Sequence, residues 1–367
     1  MKIITFFIAT FSKILSNLKS LIKTPSFSSE EHQTALLIES WFQDSAITYK
    51  RKNNNIWAIN KYFDETKPTL LLNSHHDTVK PTNGYTKDPF EPIINDGKLY
   101  GLGSNDAGGC LVSLLATFSF FYHHKNLKYN LVMVASAEEE SSGENGLNSM
   151  LSIIPEISVA IIGEPTLMQL AISEKGLVVF DAKVNGTPGH AAHKNDDNAI
   201  YNSIEVLKWF QEYTFEKRSE SLGDVKMTVT QIQAGKQHNA IPSEVALVVD
   251  VRVNDRYSNK EIAEILKKES PCSSIVPRSL RLNSSSISVE HDLIKAGLEL
   301  GRKTYGSPTL SDQSVLSCPS LKLGPGDSTR SHTADEFIYL QEIEEGITLY
   351  IKLLEKTLLD TKDETLG

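Results

Sequence analysis

The sequence predicts an α/β protein whose larger layered domain is interrupted by a smaller α+β unit. Three observations predict it. Short apolar runs at 56–59, 69–72, 131–135 and 159–162 mostly do not alternate with polar residues, which is the mark of strands covered on both faces. An apolar stretch at 109–122 reads as a helix between two of these runs, giving a strand–helix–strand order. The texture changes at Leu177 and returns to the first pattern after about Asn283.

Taken in order, Leu15, Leu18, Leu21 and Ile22 recur at helical spacing, and Thr24-Pro25-Ser26 ends that helix. A second helix is expected from Ser28-Ser29-Glu30-Glu31 through Trp41. The buried strands and the helix at 109–122 follow. Beyond Leu177, strands are expected at 178–184, 226–233 and 245–254, with helices at 199–213 and 259–268. That β-α-β-β-α order describes a small α+β sandwich. The chain then returns through 292–301 and Gly324-Pro325-Gly326 to a last helix at 340–358.

The 367 residues are 40% hydrophobic and 23% charged, an ordinary globular composition with a core to bury. A net charge of -9 argues against nucleic acid, whose phosphates need basic patches. It does not select a basic substrate. Cys110, Cys272 and Cys318 are odd in number and form no CxxC pair, as expected in a reducing compartment such as the cytoplasm. The start, Lys2 followed by the apolar run 3–11, faintly resembles a secretion signal, but no small-residue cleavage site follows. An N-terminal helix is the expectation. No later run is long enough to span a bilayer, so no membrane partner is expected.

Five polar clusters punctuate this framework. Ser74-His75-His76-Asp77 follows an apolar strand. Strand geometry points His75 and Asp77 one way and His76 the other. A carboxylate beside an imidazole can orient a metal ligand, although a ligand-free His pair at a strand end reads equally well. Gly101-Leu102-Gly103-Ser104-Asn105-Asp106 precedes an apolar helix. Asp106 there could be a cap, and the motif lacks the spacing of a phosphate loop. Glu138-Glu139-Glu140 ends another apolar run, where adjacent carboxylates need solvent, a cation or protons to offset their repulsion. Glu164 ends a fourth run, and the loop 324–336 holds His332 before Asp335-Glu336. Each is weak alone. Together they put two histidines and several carboxylates at strand ends, where α/β sheets bind ligands. That inventory suits zinc, cobalt or manganese in a catalytic site.

In order, HxD, GxGxxD, EE followed by GxxG, GEP, GxxGH and GPG with a late His run from His75 to His332, within a likeness that covers Leu18 to Leu354. By these motifs the chain resembles the M20 metallopeptidases, and within them the acetylornithine deacetylase-like enzymes and their desuccinylase relatives. The resemblance implies a di-metal aminopeptidase-like catalytic domain formed by 1–171 and 283–367, with a lid and dimerisation domain at 172–282. His75 and Glu164 would hold one of two divalent ions, most readily zinc, with cobalt an alternative. Glu140 and His332 would hold the other, with Asp106 between them. Asp77 would orient His75, and Glu139 would act as general base and acid. A cis Asp106–Ala107 peptide is also implied.

In the inserted unit the resemblance assigns His190 to the oxyanion in a partner's site, so a homodimer is expected. A surface turn histidine is the alternative, and His193 lies nearby. Asn239 and Arg252 would grip the substrate α-carboxylate; Arg252 could instead pair with Asp250 or Asp255. Gly326 and Arg330 would lie on the substrate side, Arg330 as a possible contact for a succinyl carboxylate or else a surface residue. Many relatives carry a Lys where Gly108 stands, which removes any role for that Lys but leaves the ligands intact. The implied reaction is hydrolysis of an N-acyl amino acid, an N-acetyl or N-succinyl ornithine or citrulline in arginine synthesis. Succinyl-diaminopimelate hydrolysis, a dipeptidase, or a non-catalytic binding protein on the same scaffold are the alternatives. The intact ligand set and Glu139 argue against the last.

Overall fold

The computed structural model describes residues 2–359, with side chains from residue 11 onward. The apolar runs form the middle of a mixed sheet. Strands Thr69–His75, Asn130–Ser136 and Val159–Ile162 are buried along their whole length. Thr69–His75 lies parallel between the other two, and Ser320–Lys322 continues the parallel set beside Val159–Ile162. Antiparallel strands flank this centre: Asn55–Ile59 and then Tyr49–Lys52 on one side, Leu170–Glu174 on the other.

The runs do not alternate because both faces are covered. Leu70, Leu72, Leu131 and Met133 pack in one core with Leu114 and Phe118 of helix Gly109–Phe121 and with Ile347 and Tyr350 of helix Leu340–Leu358. Leu71, Val132, Val134 and Ala160 point the other way, into a second core with Trp57, Leu147 and Met150. Successive strand residues thus serve opposite layers.

The N-terminal helix spans Lys2–Lys23. Ile14, Leu18 and Ile22, four residues apart, bury one stripe in the first core. The expected second helix starts later than its polar run suggested, covering His32–Asp44. Ser28 and Glu31 are used elsewhere. The Ser28 hydroxyl donates to Asp77, and Glu31 accepts from the backbone of Ser29 and Glu138 and from Asn54. Among the described residues no helix is long and apolar enough to cross a membrane.

The chain divides into two compact units: Met1–Ile172, Ile287–Tyr305 and Ser311–Gly367 form one, and Ser173–Ser286 with Gly306–Leu310 the other. The second unit holds a four-stranded antiparallel sheet in the order Lys226–Ala234, Glu244–Val253, Gly176–Asn185, Ser274–Pro277. Here burial alternates along Gly176–Asn185 and Glu244–Val253. The buried residues form one core with Val206 and Phe210 of helix Ala199–Glu212 and Ile262 and Leu266 of helix Asn259–Glu269. The short edge strand Ser274–Pro277 has no sequence signature, being four residues that end in proline. Gly189–His190 pairs with Ala240–Ile241 in a separate two-stranded ribbon.

Candidate metal centre

All four parallel strands of the first unit end on the same edge, and the acidic and histidine clusters follow them there. His75 is the last residue of its strand and is buried. Its Nδ1 lies 2.9 Å from the Asp77 carbonyl oxygen and 3.3 Å from Asp77 Oδ1. With Nδ1 donating to this acceptor pair, the ring once it gives up its second proton carries its lone pair on Nε2, the arrangement that prepares an imidazole for a metal. His75 Nε2 lies 3.3 Å from Asp106 Oδ1, 3.6 Å from Glu164 Oε1 and 4.0 Å from Glu139 Oε2. His76 turns away, as expected. It is fixed between Thr34 Oγ1 at 2.8 Å and the Asn54 carbonyl at 2.9 Å. Burial pushes its pKa down to about 4, so it stays neutral as a structural residue.

Asp77 is fully buried and serves two loops. Its Oδ1 accepts the N–H of Glu139, and Oδ2 accepts the N–H of Glu140 and the Ser28 hydroxyl. Burial opposes its ionisation, but His75 and the Ser28 hydroxyl hold the carboxyl below its ordinary range. Glu138 separates from its neighbours. At φ 56°, a strained region for a side chain with a Cβ, it closes its own loop by accepting from Asn145 and Ser29.

Asp106 stands between two imidazoles. Its Oδ1 faces His75, and its Oδ2 lies 3.6 Å from His332 Nε2. The Asp106–Ala107 peptide is cis. His332 Nε2 is 3.0 Å from Glu140 Oε2. The two loops are tied by Asn105, whose Nδ2 donates to the Asp327 carbonyl and whose Oδ1 accepts the Asp327 N–H. This closeness requires Gly326, at φ 87°, where a Cβ would lie 2.5 Å from Asn105 Oδ1. Gly103, at φ 74°, meets the same limit, a Cβ there lying 2.6 Å from Thr78 Cγ2.

The electrostatics are those of a cluster short of positive charge. Burial, then Glu164, Asp312 and Glu140, raise Glu139 well above the carboxylate range. Burial, with Asp106 and Glu140, raises Glu164 to about 8. Burial disfavours a charged His75, but the surrounding carboxylates outweigh it and its pKa is raised well above the imidazole range. The Glu140 hydrogen bond lifts His332 to about 9. Two triads, His75–Asp106–Glu140 and His75–Glu139–Glu164, bring one ligand atom from each member within 4.8 Å of one another. Oxygen and imidazole donors without thiolate, crowded until they retain protons, are a donor set that a divalent cation satisfies.

The sequence match falls on these residues. Positions 71–356 match Peptidase family M20/M25/M40. The chain belongs to this family. It is a metal-dependent hydrolase. A succinyl-diaminopimelate desuccinylase of Wolbachia pipientis subsp. Culex pipiens is 25% identical over 354 residues, covering 89% of this chain and 87% of that protein. An acetylornithine deacetylase of Buchnera aphidicola subsp. Acyrthosiphon pisum is 26% identical over 377 residues, covering 92% and 96%. The fold matches Bacillus subtilis YXEP, a dinuclear metal binding peptidase of the M20 family, with a TM-score of 0.73 at 14% identity, covering 94% of this chain and 98% of that one.

The remaining site candidates fare differently. Arg330 does not stand as an open cation. Its guanidinium makes a bidentate pair with Glu342 at 2.7 and 2.9 Å and lies over Phe337 and Tyr339. Arg252 is likewise held by Asp250 at 2.9 and 3.1 Å. In the second unit, His190 and Asn239 share the ribbon, where His190 pairs with Ala240 and the Ala191 N–H donates to the Asn239 carbonyl. His190 is exposed, its Nδ1 accepts the Ala192 N–H, and its ring lies 5.7 Å from that of His193. Arg252 is opposite Leu177, at the far end of the strand that begins at Glu244. Eight strand residues span roughly 25 Å, so within one copy Asn239 and Arg252 do not converge on one carboxylate.

Sequence reasoning missed three buried carboxylates here, Glu31, Asp312 and Glu336. Glu31 reads in sequence as part of a helix start, but its carboxylate accepts from Ser29, Asn54 and Glu138. Glu336 is 1% exposed and accepts the N–H groups of Gly103, Asn105 and Asp106. Its only sequence signal was membership of the acidic pair after His332.

Proposed function

We propose that the protein hydrolyses the amide bond of an N-acyl amino acid, with N-acetyl or N-succinyl ornithine or citrulline in arginine synthesis as its substrate class. The observation that carries this reading is Asp106 standing between His75 and His332 while Glu139, fixed by its backbone to Asp77, faces the same space. His75 and Glu164 would hold one divalent ion, Glu140 and His332 a second, with Asp106 shared; zinc is favoured by the donor set and cobalt is the alternative. When bound, such ions lower the pKa of water and polarise a carbonyl. Glu139 does the proton work. One of its oxygens takes a proton from water as the O–C bond forms at the amide carbon. It then delivers that proton to the amine nitrogen as the C–N bond breaks. A carboxylate and a free amino acid leave.

The separation of Asn239, beside the ribbon beyond the Glu244 end of the strand, from Arg252 near its other end supports a homodimer, in which one copy supplies Arg252 and the other brings His190 and Asn239. The second unit offers a surface for it. Tyr201 and Ile204 on helix Ala199–Glu212 are 69% and 59% exposed, and Ile232 on the edge strand Lys226–Ala234 is 54% exposed. An unpaired edge strand with apolar neighbours is a natural pairing surface. Three cysteines without a disulfide support a cytoplasmic location.

The test is amine release from N-acetyl and N-succinyl ornithine, citrulline and diaminopimelate, with zinc or cobalt and again after chelation. Chelator-sensitive turnover of an ornithine or citrulline compound is the expected result. Turnover of succinyl-diaminopimelate alone, or of none while metal is bound, would redirect the reading to a desuccinylase or a dipeptidase.

A further inference from the structure

Two buried carboxylates grip the loops that carry the metal-facing side chains. Asp77 takes the N–H groups of Glu139 and Glu140. Glu336 makes the corresponding grip on the opposite loop. Its Oε1 accepts the N–H of Asn105 at 2.8 Å and of Asp106 at 2.9 Å, and Oε2 accepts that of Gly103 at 3.1 Å. Its own carbonyl accepts the Gly101 N–H at 3.0 Å.

We infer that Glu336 is a positioning residue for the metal centre, holding Asp106 between His75 and His332. The Asp106 N–H is itself one of the three donors, so the orientation of the peptide bearing the Asp106 side chain is set at Glu336. Glu336 also lies four residues beyond His332, so one side chain ties the loop of Asp106 to the loop of His332. The gripped segment has no slack on its other side, since a Cβ at Gly103 would lie 2.6 Å from Thr78 Cγ2. Without Glu336 three backbone donors lose their acceptor, and Asp106 loses the register that serves both imidazoles.

The inference rests on the reading that this cluster binds metal, and the test reads zinc binding directly. Full-length wild type, Glu336→Gln and Glu336→Ala are titrated with zinc against a competing chelator, and Tm is measured with and without zinc. Zinc affinity should fall about 10–100-fold in Glu336→Ala, the range for residues that orient metal ligands. Glu336→Gln should fall between, because its amide oxygen still accepts from Asn105 and Asp106 while its NH2 opposes the Gly103 N–H. KM should stay unchanged, and activity lost at limiting zinc should return with excess zinc. Unchanged zinc affinity in both variants, or equal Tm losses with and without zinc, would overturn the role. Should Glu336→Ala not fold, Glu336→Gln alone decides. A wild type that takes up zinc but turns over no acyl amino acid would sink the proposed substrate, while the affinities still judge Glu336; one that takes up no zinc overturns both.

Discussion

Replacing Glu139 by glutamine removes one carboxylate from a buried cluster and leaves its backbone where it is, because the contact to Asp77 is made by the Glu139 N–H. The consequences separate cleanly. A positioned general base contributes on the order of 10²–10⁴ to a rate, so kcat should fall by about 3–5 kcal/mol of barrier. Two zinc ions should still bind, since the proposed ligands His75, Asp106, Glu140, Glu164 and His332 are left in place. Stability should move the other way. Burial and the neighbouring carboxylates raise the Glu139 carboxyl well above its usual value. A carboxyl raised on folding supports the fold below its unfolded pKa and loses that support as pH rises. Metal-free Glu139→Gln should therefore match wild type near pH 4 and exceed it at pH 8. The assay is steady-state turnover of an N-acetyl amino acid beside metal analysis and chelated thermal unfolding at both pH values. Turnover within tenfold of wild type, with both metals bound, would refute the assignment of the base.

Zinc affinity should rise as pH climbs from about 6 to 9, because the metal must displace protons held by Glu164 near 8 and His332 near 9; calorimetry in two buffers of different ionisation enthalpy would show proton release, and none would contradict the site. Arg330→Gln should cost about 1–2 kcal/mol of stability by breaking the bidentate Glu342 pair while leaving the ratio of acetyl to succinyl turnover unchanged; a selective loss on succinyl substrates would restore Arg330 to the acyl site. Ser258→Ala should cost about 1 kcal/mol, the usual worth of a helix cap, by opening the capping box with Glu261. The Ser258 N–H and side chain and Lys217 hold Glu261 at about 2 against an ordinary 4.5, so its contribution is present above about 4.5 and lost as pH falls through about 2; urea melts of wild type and variant should differ at pH 7 and converge in acid. Tyr201→Glu with Ile204→Glu should yield monomers in sedimentation, and an unchanged dimer would move the interface elsewhere.

The central strands were legible because their apolar runs carry no alternation, and only burial on both faces tolerates Leu70-Leu71-Leu72 in a row. The site was legible for a related reason: its acids and imidazoles stand at strand ends, where a charge beside an apolar run has few explanations. The period of a strand already placed His75 on the side of Asp77 and His76 on the other, while the resemblance, not the period, made His75 the ligand. Tertiary structure decided matters that depend on partners distant in sequence. Ser28 and Glu31 look like a helix start until they are found bonded to Asp77 and to the Glu138 loop, 49 and 107 residues away. Arg330 is paired with Glu342, a partner the sequence did not point to, while the Arg252–Asp250 pair is the alternative the sequence already offered. Glu336 had no motif of its own, because its ligands are backbone N–H groups some 230 residues earlier, and a backbone donor has no letter in a sequence. The residue types, their order and the strand periods therefore determined the chemistry, while the long-range hydrogen bonds that aim it existed only once the loops had been brought together.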